Sequence, residues 1–200
     1  MSNRFCCLIV GLFGLMCAAH IANTDQVISD DYKLLASDGG ATDEFGTSVS
    51  ISGDITIIGV PNDDDRNTNA GAAYIFTLDG LEWIEVQKLF ASDGDQDDQF
   101  GYSVSIDGDT AVVGARFHDD NGDNSGAAYV FVLDGDTWVQ EDKLLANDGA
   151  ADDQFGHAVS ISGDNVVVGS RFAATVAAGT RATTTTGALY LPSNRFIKLT

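Results

Sequence analysis

The sequence predicts an all-β fold, a β-propeller of four-stranded blades, from three observations. KLLASDGGATDEFGTSVSISGD (33–54) returns as KLFASDGDQDDQFGYSVSIDGD (88–109) and as KLLANDGAADDQFGHAVSISGD (143–164), 55 residues apart each time. Residues 88–117 and 143–172 agree at 20 of 30 positions, and so long a fixed period marks a repeat architecture. Turn signals cut each period into four short strand-like runs. The two middle runs are apolar on both faces, so each must be covered on both sides.

The second copy shows the elements in order. YSVSI (102–106) alternates apolar residues with serines and predicts the first strand. Asp107-Gly108-Asp109 is a tight hairpin signal, because glycine takes positive φ without steric cost. TAVVGA (110–115) predicts the second strand and AAYVFVL (127–133) the third, with the polar loop RFHDDNGDNSG between them. Asp134-Gly135 then turns the chain into the most polar strand, TWVQEDKLLA (137–146). Such a meander, wet at its outer edge and packed on both faces, is a propeller blade. A single sheet or a sandwich would alternate more cleanly in every strand. Helices are excluded, because apolar residues do not recur at three and four.

The returning stretch is then the blade-to-blade crossover. KLLA ends one outer strand, SDGGATDE crosses the blade top, and Phe45-Gly46 starts the innermost strand of the next blade. Phe100-Gly101 and Phe155-Gly156 repeat that role, with the phenylalanine plugging the gap between blades. Trp83 and Trp138, and Tyr74 and Tyr129, also recur one period apart, as packing residues do.

Phe45-Gly46 with Gly59-Val60-Pro61, Phe100-Gly101 with Gly114-Ala115-Arg116, and Phe155-Gly156 with Gly169-Ser170-Arg171 resemble the FG-GAP repeat of the integrin α-subunit propeller. The resemblance covers about residues 31–172. It implies an extracellular, usually seven-bladed propeller concerned with adhesion or ligand binding through blade-top loops. Many members of that family carry an Asp-x-Asp-x-Asp-Gly calcium loop between the two motifs. Here only Ser52-Gly53-Asp54, Asp107-Gly108-Asp109 and Ser162-Gly163-Asp164 stand there. A tight hairpin cannot supply the six to eight oxygens that calcium takes, so those sites are not carried over.

Domain boundaries follow: 1–22 a signal peptide, 23–44 an N-terminal outer strand and crossover, 45–99 blade 1, 100–154 blade 2, and 155–200 a partial, degenerate blade 3. The signal peptide rests on Arg4, the fourteen-residue apolar run CCLIVGLFGLMCAA, and small residues at Ala19 and Ala22. That run is shorter than the twenty or so residues a membrane helix needs. Cys6, Cys7 and Cys17 all lie within it, so the mature chain has no disulfide. No N-glycosylation sequon is present. Secretion or display at the cell surface is expected, without membrane insertion after cleavage.

A formal net charge of −20 argues against nucleic acid or an anionic membrane as partner. After Phe172 the acidic residues stop, a TTTT run appears, and the remaining charges are Arg181, Arg195 and Lys198. GALYL (187–191) still resembles a third strand. A propeller closes with at least four blades. Three copies suit a truncated product of a longer gene, which the tail favours, an assembly of several chains, or an open arc capped by another body. Self-association through open blade edges is expected of uncovered strands.

No catalytic, cofactor-binding or metal-binding residue is assigned. His118 and His157 occupy unrelated repeat positions, and no nucleophile elbow, metal-ligand histidine pair or phosphate loop is present. Asp93, Asp95 and Asp97, and Asp119, Asn121 and Asp123, alternate as calcium ligands can, but the latter set becomes Asp64, Arg66 and Thr68 in the first copy. They read as solvated loops, with calcium the one ion they could take. The expectation is a non-enzymatic binding or adhesion module for an extracellular protein or glycan. The alternative is a structural propeller fragment of a larger extracellular enzyme or receptor.

Overall fold

A computed structural model describes residues 33–172, 187–190 and 197–198. The expected signal peptide, the start of the 23–44 segment and most of the tail after Phe172 lie outside the described residues. Of the expected N-terminal outer strand, Lys33–Ala36 is described and is not part of a sheet.

The described chain forms three antiparallel sheets and contains no helix. The first is the meander β1 (Ser48–Ser52), β2 (Ile55–Val60), β3 (Ala72–Asp79) and β4 (Glu82–Leu89). The second repeats it with β5 (Phe100–Asp107), β6 (Thr110–Ala115), β7 (Ala127–Asp134) and β8 (Thr137–Leu144). In the third, β9 (Phe155–Ser162) and β10 (Asn165–Ser170) are followed by β11 (Gly187–Tyr190) and β12 (Ile197–Lys198) in the same order. The GALYL segment thus pairs with β10 as a third strand, and the short β12 beside it was not legible in the sequence.

One difference from the sequence reading has a clear cause. β5 begins at Phe100, two residues before the expected strand, because the Phe-Gly pair is stitched to the preceding blade. The Phe100 amide donates to the Ala70 carbonyl at 2.9 Å, and a bulge between Phe100 and Ser103 then turns the strand into its own ladder. Phe155 repeats this on Ser125 at 2.8 Å.

The sheets stack face to face. One core joins Ile57, Ala73 and Ile75 of the first sheet to Phe100, Val104, Ile106, Ala111 and Val113 of the second. Another joins Val112, Ala128 and Val130 of the second to Phe155, Val166 and Val168 of the third. Odd and even residues of β6 therefore serve opposite neighbours, which is why this strand is apolar throughout. Phe100 is fully buried and meets Tyr129 and Phe131 edge-on at 5.5 and 5.9 Å.

The motif glycines set how closely the blades approach. A Cβ built on Gly59 would lie 1.9 Å from the Gly101 carbonyl oxygen, and one on Gly114 would lie 2.0 Å from that of Gly156. No side chain fits there, so the GAP glycine of one blade and the FG glycine of the next are two halves of one backbone contact. Serines bind the same seam: Ser48 Oγ donates to Gly101 O at 2.9 Å and Ser103 Oγ to Gly156 O at 2.7 Å. Further along the innermost strands, Ser50 Oγ and Ser105 Oγ accept the amides of Ile106 and Ile161, each at 3.1 Å. The serines of the first strand thus act as inter-blade hydrogen-bond partners.

Among the described residues the stack does not close into a ring. Val49 and Ile51 are 66% and 62% exposed, whereas their counterparts one blade on, Val104 and Ile106, are 8% and 5% exposed. At the other end Val167, the counterpart of the buried Val112, is 42% exposed.

Candidate functional site at the blade tops

At one end of each of the first two blades the loop between the second and third strands meets the crossover to the next blade. The Asp97 and Gln99 amides donate to the carbonyls of Thr68 and Asn69, and those of Asp152 and Gln154 to Asp123 and Asn124, at 2.8–3.1 Å. Glu44, Gln99 and Gln154, each directly before the Phe-Gly pair, take φ values of 61, 56 and 56°. Asn69 and Asn124 also take the left-handed region and donate to Asp97 and Asp152 across the gap. A strained backbone repeated in register gives the blade tops a fixed frame.

Within this frame each of the first two blades holds a lysine in an acidic cage. Lys88 Nζ lies 3.0, 2.7 and 2.5 Å from carboxylates of Asp38, Asp63 and Asp65. Its counterpart Lys143 lies 2.6 Å from Asp93, 2.5 Å from Asp120 and 2.6 Å from His118 Nε2. Beneath them the buried Tyr74 and Tyr129 donate their hydroxyls to Asp38 at 2.6 Å and Asp93 at 2.9 Å. Their rings also face the ammonium groups, at 5.0 and 5.7 Å from the centroids.

The electrostatics follow from that geometry. Burial works against the charge on Lys88, yet hydrogen bonds to Asp63, Asp65, Tyr74 and Asp38 outweigh it and raise its pKa. The Tyr74 hydroxyl lowers the Asp38 pKa, and Lys143 lowers that of Asp120. Asp93 is also lowered, because the bonds from Lys143 and Tyr129 exceed the opposing effect of burial. Burial is the main cause of the raised tyrosine pKa values.

Asp93, His118 and Asp120 bring three potential metal-ligand atoms within 4.8 Å of one another. The Lys143 ammonium already sits among them, so this chain supplies its own cation at that point. His118 is buried, with Nδ1 2.8 Å from Asp98 and Nε2 facing Lys143. Donation from Nδ1 to Asp98 leaves Nε2 of the neutral ring to accept from Lys143. Burial disfavours the charged ring, but Asp98 and Asp120 more than offset burial and Lys143, and the pKa rises. Protonation then turns Nε2 from Lys143 toward Asp120, 3.3 Å away.

The alternating acidic sets from the sequence do not converge on a common point. Asp119 accepts the Asn124 amide, Asn121 donates to the Ala146 carbonyl, and the Asp123 carbonyl receives the Asp152 amide. Of the crossover set, Asp93 belongs to the lysine cage, Asp95 accepts from Gln96 and Asn67, and Asp97 from Asn69. The cages had a sequence signal that the reading passed over: Asp38 and Asp93, and Lys88 and Lys143, recur one period apart.

A second cluster lies where β5 and β9 begin. The Arg116 guanidinium stacks 3.6 Å from the Tyr102 ring centroid, and its Nε donates to Gln99 Oε1 at 2.8 Å. The His157 ring lies 5.1 Å from Tyr102, and Arg171 covers Phe172 at 4.8 Å. His157 is the third-blade counterpart of Tyr102 and Thr47. Burial and the charges of Arg116 and Arg171 lower its pKa. Among the described residues its Nδ1 and Gln154 Oε1 are buried without a hydrogen-bond partner.

Comparison with protein families gives three matches to the FG-GAP repeat, over residues 28–76, 83–131 and 138–191. The second window runs from within β4 to within β7, so the repeat unit is offset by one strand from the sheet. No curated protein matches the chain.

Proposed function

Since the chain belongs to the FG-GAP repeat family, we propose that it is a secreted or cell-surface propeller module that binds a protein or glycan through its blade-top loops. FG-GAP propellers are commonly extracellular and typically non-enzymatic. The observation that carries the reading is a contrast between frame and surface. The caging lysines, the tyrosines beneath them and the left-handed asparagines are the same in the first two blades. The side chains at the rim of that frame change: Thr47, Tyr102 and His157 in one register, and in another Arg116 and Arg171 where the first blade has the buried Pro61. A constant scaffold with variable loops is how recognition surfaces are built. Catalysis has no comparable support: among the described residues the one buried histidine, His118, is engaged by Asp98 and Lys143.

The test is capture by the immobilised full chain from arrays of extracellular proteins and of glycans. The reading predicts a ligand whose retention falls when blade-top residues such as Tyr102 are replaced. Hairpin changes at the opposite end, such as Asp109→Asn, should leave retention intact. Retention lost through the hairpin changes, or no ligand from either array, would overturn it.

A further inference from the structure

Arg116 and Arg171 occupy the same repeat position in the second and third blades. Acidic residues outnumber Lys and Arg by 30 to 10, and Lys88 and Lys143 are each ringed by acids. Among the described residues Arg116, Arg171 and Arg66 form no ion pair with a carboxylate, and Arg66, on another loop, lies over the Phe90 ring. The fold brings Arg116 and Arg171 to neighbouring strand starts: Arg116 lies over Tyr102, whose ring is 5.1 Å from His157, and the Arg171 amide donates to the Asp153 carbonyl on the crossover that leads into His157. Glu44 acts on Arg116 only at longer range, without a pair. Two guanidinium groups with no carboxylate partner form a place where an anion relieves their mutual repulsion.

We propose that Arg116, Arg171 and His157, with Tyr102 as backing, bind one carboxylate of a peptide ligand. The inference rests on the binding-module reading and names its ligand class. Arginine's planar fork matches a carboxylate, and Arg116 is held ready by the Tyr102 face and the Gln99 bond, which leave its terminal nitrogens for the ligand. The His157 ring, 5.1 Å from Tyr102, closes the cluster on the third-blade side. Gln154 Oε1 is in register with the Gln99 oxygen that anchors Arg116, but among the described residues it is buried without a partner and makes no bond to Arg171. In the first blade the corresponding positions are Pro61 and Glu44, so the cluster belongs to the second and third blades.

The surroundings decide between a peptide and an acidic polysaccharide. Asp97 and Asp152 are exposed on the same crossovers that carry Gln99 and Gln154, and Asp119 and Asp120 are exposed on the loop that follows Arg116. A basic centre inside an acidic rim repels a polyanion and favours one carboxylate flanked by basic residues.

The experiment uses the full chain and three probes: a capped basic pentapeptide with a central aspartate, the same peptide with asparagine, and polygalacturonate. The aspartate peptide should bind about tenfold more tightly than the asparagine peptide, the scale of a charge-assisted bidentate bond. R116Q and R171Q should erase that preference, and R66Q, at an arginine outside the cluster, should retain it. Arg171 is exposed, so R171Q tests the site without disturbing a core. Equal binding of the two peptides, a preference that survives R116Q and R171Q, or tighter binding of polygalacturonate would each overturn the proposal. If an array ligand is still retained by R116Q and R171Q, the carboxylate site fails while the module reading stands.

Discussion

At the level of single residues, the caged lysines combine charge with burial. Asp63 is 2% exposed and depends on Lys88 for compensation. Replacing Lys88 with methionine strands that carboxylate and should cost about 3 kcal/mol in urea unfolding, at the low end for breaking a buried pair. Adding Asp63→Asn should recover part of the loss, and a double-mutant cycle measures the coupling directly. Purely additive costs would show that the pair does not act as one unit. His118 makes a pH-dependent prediction. Its pKa is raised on folding, so its contribution is complete below the unfolded value near 6.5 and is lost as pH rises through the folded one. The melting-temperature gap between wild type and H118N should therefore be widest in mild acid and narrow toward pH 8. A gap that widens with pH would contradict the assignment of Asp98 as the dominant partner.

At the level of strands, exposure separates positions that the sequence makes look identical. Val49 and Val104 share a place in the repeat, yet only Val104 faces another sheet among the described residues. Val104→Asp should cost several kcal/mol, because it buries an unpaired charge, and Val49→Asp about 0.5 kcal/mol or less. Similar shifts in the urea midpoint would mean that another body covers the first blade. Phe100→Ala should cost about 3–5 kcal/mol, the usual range for deleting a buried phenylalanine. Strand identity was largely readable from the chain, because doubly apolar runs and Gly-containing turns have local causes: TAVVGA is β6 residue for residue. The start of β5 was not, because it is set by a bond from Phe100 to the preceding blade. The same reason hid the lysine cages, whose members lie 23 and 50 residues apart. The basic cluster was hidden too, since it joins residues of two blades.

Across the whole molecule, the account rests on repeated sheets pressed together through the FG and GAP glycines. That contact explains the motif physically: a carbonyl of one blade occupies the space where a side chain of the other would begin. It also explains how loops from different blades come to share one surface, since the same seam runs beneath each of them. Chemical denaturation of G59A beside G53A tests the claim most directly. A Cβ at Gly59 would strike the Gly101 backbone at 1.9 Å, whereas Gly53 sits in a hairpin at φ +56° with nothing within 4 Å. The account predicts a loss of about 3 kcal/mol or more for G59A, or failure to fold, because backbone cannot yield to backbone. For G53A it predicts about 1 kcal/mol, the strain of a left-handed alanine. Equal and small losses would contradict it, because the blades would then not meet at that glycine.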